Sequence, residues 1–271
     1  MDWIVYSVGS INIYWYGLVC AAAVLVFMLV TWSCLRLRGE PFAPVIDMLL
    51  WGIPAGLVLA RVIYVARYWD LYRDDLSLIP ALWQGGFSIY GAFAGFILAV
   101  VLCCYREKIP FWRCLDGLTP GIVAALLISQ LGNFAAPFTV GMPLPSGSIN
   151  EQRLAEYVEY AYRPSGFEGY EYFKPVALYQ AGMELVVLLA AVWAAWPRCQ
   201  QRLTAGMTFL ASMFLLTVIR FGCGYMYLTT DVSGTLHFGQ RVCLAGAAAC
   251  LLLLWLRWRK KEENVFLVWK E

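Results

Sequence analysis

Seven predominantly apolar stretches recur along the chain, near residues 14–35, 45–66, 86–105, 117–137, 175–196, 205–226 and 239–257. A run of about 20 such residues suffices to carry an α-helix across the hydrocarbon core of a bilayer. The pattern predicts an all-α integral membrane protein of about seven transmembrane helices, with residues 1–271 as a single polytopic domain. Only one polar stretch between spans is long, residues 138–174, and it separates the fourth span from the fifth. It is too short for an independent domain and reads as a small extracytoplasmic cap. Leu154, Tyr157, Val158 and Tyr162 fall at helical spacing and predict a helix over 150–162, the other reading being a loop. No solenoid repeat is visible. The first apolar run begins near Tyr14 without a basic leader or a small-residue cleavage site, so it reads as a retained span and not a signal peptide.

Charge orients the spans. Arg36 and Arg38 follow the first, Arg106, Lys108 and Arg113 the third, Arg198 and Arg202 the fifth, and Arg257, Arg259, Lys260 and Lys261 the last. Lys and Arg concentrate on the cytoplasmic side of a membrane protein, so these connections and the C-terminus face the cytoplasm. The alternate set is mostly acidic: Asp70, Asp74 and Asp75, then Glu151, Glu156, Glu159, Glu168 and Glu171 in the insert, then Asp231. The N-terminus and the insert are expected outside.

Composition agrees, with 61% of residues hydrophobic and 14% charged, against roughly 25% charged in a soluble domain. The formal net charge of +2 gives no reason to expect nucleic acid as a partner. Nine cysteines invite a disulfide framework, but Cys20, Cys103, Cys104, Cys223, Cys243 and Cys250 lie in or beside apolar runs and no CxxC or Cys/His metal spacing occurs. They read as small hydrophobes. The single histidine, His237, cannot build a metal site alone, and no metal or cofactor is expected.

Ionisable side chains at membrane depth are costly and therefore functional candidates. Arg61 follows the small residues Gly52, Gly56 and Ala60, which permit close helix approach, and Arg220 lies deep in the run LASMFLLTVIRFGCGY. Each must face a carboxylate, backbone carbonyls, water or a lipid phosphate, and the planar fork of arginine suits a phosphate. A structural pairing with Glu184 or Asp116 is the alternative. Other polar groups gather near the expected outer ends of the spans: Tyr14, Tyr16, Gln84, Ser88, Tyr90, Ser129, Gln130, Asn133, Tyr179, His237 and Gln240. Taken singly, each suits an interface anchor. Together with Gly85, Gly86 and Gly132, they point to a polar cavity opening toward the outer leaflet. The small residues of 121–125 and 245–249 allow close packing within the chain or against another copy, and oligomeric state stays open.

In order along the chain, these residues resemble the prolipoprotein diacylglyceryl transferases of bacterial inner membranes. IYWYG at 13–17 opens the first span. LARVIYV at 59–65 is similar to that family's Gly-Gly-Arg segment, and WQGGFSIYG at 83–91 resembles Trp-x-Gly-Gly-x-Ser-x-His-Gly. DGLTP at 116–120 leads to QLGNF at 130–134, similar to Gly-Arg-x-Gly-Asn-Phe. KPVALYQ at 174–180 resembles His-Pro-x-Gln-x-Tyr-Glu, VIRF at 218–221 the Phe-Arg of a late span, and FGQ at 238–240 Met-Gly-Gln.

The resemblance implies transfer of the diacylglyceryl group of phosphatidylglycerol to the lipobox cysteine thiol of a prolipoprotein signal peptide, forming a thioether and releasing glycerol phosphate. Such a site must supply cations for the departing phosphate, a means of removing the thiol proton, and exclusion of water. By that likeness Arg220, Tyr90 and Asn133 are the expected catalytic residues, with Arg61, Tyr16, Gln130, Gln240 and Tyr179 binding substrate.

The chain also departs from the pattern. Tyr90 stands where the family has His, and Gln130 where the signature has Arg. Ala136, Pro137 and Phe138 replace Asn, Gly and Glu, Gly224 replaces a Glu, and Ala177 and Gln180 replace Gln and Glu. Replacing Arg by Gln removes a permanent charge and a bidentate phosphate contact. Tyrosine can exchange protons, less readily than histidine near neutrality. Three readings follow: an active transferase rebuilt around Tyr90 and the two arginines, an inactive relative that binds phospholipid or prolipoprotein, or a membrane enzyme for a different lipid or thiol. A carrier would show paired interrupted spans related as two halves, and none is visible.

Overall fold

The computed structural model describes residues 4–8, 11–81, 85–135, 140–144, 155–160, 163–200, 203–228 and 238–268. Of the positions singled out above, Trp83, Gln84, Ala136, Pro137, Phe138, Glu151, Leu154, Tyr162, Arg202, Asp231 and His237 lie outside the described residues.

A short antiparallel hairpin, β1 (Ile4–Val8) and β2 (Ile11–Tyr14), precedes α1 (Trp15–Arg38). Then come α2 (Ala43–Arg67), α3 (Ile89–Glu107), α4 (Phe111–Ala135), the strands β3 (Glu156–Tyr157) and β4 (Tyr172–Phe173), α5 (Val176–Ala194), the single turn α6 (Pro197–Gln200), α7 (Met207–Cys223) and α8 (Phe238–Val268). The seven long helices coincide with the seven apolar stretches. Six have the length and composition to cross a membrane, so the chain is a multi-pass membrane protein. The seventh, α7, has 17 residues and rises about 26 Å, somewhat less than the roughly 30 Å of hydrocarbon. It ends at Cys223, followed by a turn at Gly224, so Arg220 occupies its last turn. The apolar run by itself places this arginine deep in a span. The helix end instead sets it where the partial negative charge of the helix C-terminus favours a cation.

Packing divides the chain into two units, residues 39–115 and residues 1–38 with 116–271. Within the first, α2 and α3 cross closely through small residues. A Cβ at Gly91 would collide with the carbonyl of Leu59, and one at Gly95 with that of Ala55, so the backbones touch where side chains would keep them apart. Within the second, Val123, Val187 and Leu216 join α4, α5 and α7 in a buried cluster, against which Leu126, Leu188, Met213 and Ile219 pack. A Cβ on Gly121 would collide with Thr31 and Phe27 of α1, and one on Gly246 would touch Thr217 of α7. Both glycines therefore serve contacts inside the chain. All nine cysteines are free thiols.

Asp116, buried in α4, caps α7: its carboxylate accepts the N–H of Gly206 at 2.5 Å and of Phe209 at 2.9 Å. These are among the donors that a helix N-terminus leaves without intrahelical partners. Arg38 donates to the carbonyls of Ala195 at 3.0 Å and Asp116 at 3.4 Å, and Arg257 to that of Ala205. The role of Asp116 is thus a helix cap, and the arginines nearest to it electrostatically are Arg38 and Arg257, not the two that the sequence offered as partners.

The helix expected over 150–162 does not form at its described residues. Glu156–Tyr157 is a strand paired antiparallel with Tyr172–Phe173, and Pro143 bridges to Phe173. Along it Glu156 and Val158 are buried while Tyr157 is exposed, the alternation of a half-buried strand. Val140, Val158 and Phe173 form a small core with Phe167 against it. The long-range partner, invisible in local spacing, decides the conformation.

Glu156 shares the inner face with this core. It is 6% exposed, and its Oε1 finds no hydrogen-bond donor among the described residues. Burial pushes its carboxyl from about 4.5 up to about 7. Between those values the folded chain keeps a proton that the unfolded chain has lost, so the cap loses stability as pH rises across this window. Glu156→Gln should therefore stabilise the protein at pH 8, by on the order of 2 kcal/mol. Thermal unfolding in detergent at pH 8 and pH 4.5 checks this: the gain should shrink toward the lower pH, and equal melting temperatures at pH 8 would contradict it.

Candidate functional site

In the unit of residues 39–115, Arg61 sits two turns before the end of α2, 4% exposed. All five of its N–H groups meet backbone carbonyls. Nε donates to Ile79 at 2.9 Å, Nη1 to Gly85 at 2.5 Å and Gly86 at 3.1 Å, and Nη2 to Leu78 at 2.7 Å and Ala81 at 3.3 Å. The ring of Tyr72 lies 5.2 Å from the guanidinium, within the range of a cation–π contact.

The sequence prepares this nest. Asp75 caps the short 3-10 turn Leu76–Leu78 by accepting from the N–H and hydroxyl of Ser77, bonds that hold its carboxyl below the usual range. That turn aims the carbonyls of Leu78 and Ile79 at Arg61. Gly86 has a positive φ of 76°, and a Cβ there would lie 2.7 Å from Arg61 Nη1 and 2.8 Å from the ring of Tyr64. Only glycine fits. Ser88 N–H then donates to the carbonyl of Ala60 at 3.1 Å, which fixes the start of α3 and half-buried Tyr90 in its first turn. With its fork fully engaged by backbone, Arg61 has no N–H left for a bidentate phosphate contact. Its charge remains, and its hydrogen bonds fix the backbone at 78–79, 81 and 85–86.

The other expected site residues belong to the unit of residues 1–38 with 116–271. At the α1–α4 crossing, Trp15 Nε1 donates to the carbonyl of Gly132 at 3.3 Å, and Val19 fills the space above that glycine. This brings the first turn of α1, where Tyr16 lies, to the end of α4, where Gln130 and Asn133 are half-buried. IYWYG and QLGNF are thus neighbours in space.

A second grouping forms on α5, α7 and α8. Tyr179 is half-buried in the first turn of α5. Beside it Gln180, 2% exposed, donates from Nε2 to Oε1 of Glu184 at 2.8 Å, and its own Oε1 lies 3.5 Å from the hydroxyl of Tyr227. Arg220 is exposed, and its charge acts on Glu184, Cys223 and Cys243. Gln240, buried in the first turn of α8, packs on Gly224, where a Cβ would lie 3.0 Å from Gln240 Cγ. Backbone bonds lace the ends of these elements together: Met142 N–H to Met226 carbonyl at 2.9 Å, Leu228 to Val140 at 3.0 Å, and Lys174 to Met142 at 3.0 Å.

By sequence Gln180 departs from the family pattern and Glu184 is a candidate structural partner for an arginine. Their separation of four residues in an apolar span places both on one helix face and marks them as a unit.

The profile of a family described as prolipoprotein diacylglyceryl transferase matches residues 3–256. Curated proteins named phosphatidylglycerol–prolipoprotein diacylglyceryl transferase are similar to the chain. One from Listeria innocua is 31% identical over 191 residues, 67% of this chain and 64% of its own length. One from Lactobacillus acidophilus is 27% identical over 266 residues, 95% of this chain and 90% of the relative. One from a Nostoc species is 29% identical over 260 residues, 94% and 89%. The matched region thus spans somewhat under two thirds of the Listeria relative's length.

The Arg61 nest predicts that Arg61→Lys, which keeps the charge but offers three donors in place of five, destabilises the protein by about 2 kcal/mol or more through carbonyls left unpaired. Hydrogen exchange should reveal faster opening of residues 78–81 and 85–88 in the variant, while unaltered protection there would contradict the clamp.

Proposed function

Because the chain belongs to the prolipoprotein diacylglyceryl transferase family, we propose that it transfers diacylglyceryl from phosphatidylglycerol to the lipobox cysteine of a prolipoprotein. It does so in a bacterial plasma membrane, with its N-terminus outside and its C-terminus cytoplasmic, as the distribution of Lys and Arg favours. In this reaction the cysteine sulfur forms a bond to the glyceryl carbon that bears the phosphate ester. The carbon–oxygen bond breaks, glycerol phosphate leaves with the bonding pair, and the thiol gives up its proton.

The observation that carries the reading is Arg220: an exposed guanidinium in the last turn of α7, one turn before Gly224, on which buried Gln240 packs. A cation so placed offers its fork to a lipid phosphate and stabilises the charge that develops as glycerol phosphate departs. Tyr16 and Asn133, from the neighbouring α1 and α4 ends, are the groups assigned to hold the headgroup, with Gln130 and Tyr179 as further binding candidates. From the family likeness alone, Tyr90 at the start of α3 is the residue assigned to the thiol proton, and within its own unit Arg61 holds the segment before it.

A second reading, lipid binding without turnover, is favoured by two positions. Gln130 and Gly224 lack the charges that the family pattern carries there, which leaves fewer groups to stabilise the leaving phosphate.

A transfer assay with purified protein, phosphatidylglycerol and a fluorescent lipobox peptide separates the two. Arg220→Ala should lower peptide lipidation by about 100-fold or more in a protein that still inserts and purifies as the native one does. Native protein that binds phosphatidylglycerol without lipidating the peptide would decide for the second reading.

A further inference from the structure

Glu184 is a carboxylate in the middle of an apolar helix, 3% exposed. One of its oxygens is committed: Oε1 accepts from Gln180 at 2.8 Å. The other, Oε2, is buried and has no hydrogen-bond donor among the described residues. An ionised carboxylate with an unused oxygen at membrane depth is expensive unless a cation faces it.

The neighbouring helix supplies one. α5 packs on α7, and Arg220 acts electrostatically on Glu184. Val187, one turn after Glu184, shares a buried cluster with Leu216, one turn before Arg220, and Ile219 packs against it, which places the pair on one helix–helix interface. The approach stops short of contact, since the ion pairs within 4.0 Å among the described residues involve Arg73 and Arg113. The guanidinium itself remains exposed.

We propose that Glu184 is the positioning residue for Arg220: held by Gln180, its free oxygen attracts the guanidinium across the α5–α7 interface and limits the directions in which the exposed fork can face a lipid phosphate. This rests on the transferase reading for its consequence in turnover, although the pairing itself concerns only the binding of an anionic headgroup.

The arrangement has a definite signature. A nearby carboxylate offsets part of the arginine's charge, so it weakens ground-state binding of an anionic lipid. By fixing the orientation of the fork, it favours the transition state, in which charge on the leaving phosphate grows. Interactions stronger in the transition state than in the ground state raise kcat. Removing the carboxylate charge should move binding and turnover in opposite directions, whereas loss of a merely structural group would impair both.

The test compares native protein with Glu184→Gln, a change of nearly equal volume, in two measurements: binding of phosphatidylglycerol in zwitterionic detergent, and lipidation of the lipobox peptide. Binding should tighten by about three- to tenfold, while kcat falls by about tenfold or more at an unchanged melting temperature. In an Arg220→Ala background the same substitution should leave binding unaltered, because the coupled partner is gone. Glu184→Asp, which keeps the charge on a shorter arm, should retain native lipid affinity and lose turnover, and it serves if the glutamine variant folds poorly.

Unchanged binding and turnover in Glu184→Gln would overturn the proposal. So would weaker binding together with a lower melting temperature, or an equal effect in the Arg220→Ala background. Should the native protein bind phosphatidylglycerol but never lipidate the peptide, the transferase reading fails and the binding arm alone decides the role of Glu184.

Discussion

A bilayer contains no water to satisfy a polar group, so every donor, acceptor and charge that this chain carries into its spans must be answered by the chain itself or by a ligand. Arg61, Asp116, Gln180 and Glu184 are each nearly inaccessible, and three of the four are answered in full view. Arg61 meets five backbone carbonyls. Asp116 meets two N–H groups at the start of α7. Gln180 reaches Glu184 and lies near Tyr227. Glu184 is the exception, with one oxygen answered and one not.

The contrast between the two arginines follows from the same constraint. Residues alone do not distinguish them, since both interrupt apolar runs. Arg61 lies two turns inside its helix and is enclosed by a loop with a capped 3-10 turn and a positive-φ glycine, and this loop absorbs every donor it has. Arg220 stands on a helix that ends one turn later, with its guanidinium exposed. One cation is spent on the fold and the other stays exposed. The shortness of α7 sets a permanent charge in the last turn of its helix and not midway along it.

Close packing and polar grouping are linked in this chain. Gly132 lets Val19 of α1 approach α4, which brings Trp15 within reach of the Gly132 carbonyl and sets the first turn of α1 against the end of α4. Gly224 gives Gln240 room at the start of α8. A Glu at that position, as the family pattern has it, would meet Gln240, so the small residue and the buried amide fit as a pair. The carboxylate absent at 224 has a counterpart in buried Glu184 on α5, the helix that packs on α7.

The sequence by itself determined the membrane class, the seven helices and the family. Apolar runs of span length report on the solvent directly, and ordered motifs survive at matching spacing even where single residues have changed. Local spacing failed over 156–158, because a strand there is decided by its pairing with 172–173, more than a dozen residues away. It also could not assign partners to Arg61, Asp116 or Arg220. Hydrogen bonds and charge pairs depend on which helix faces meet and where each helix stops. Those quantities are set by packing, by a glycine that admits a neighbour's side chain or a turn that shortens a span, and they exist only once the chain has folded.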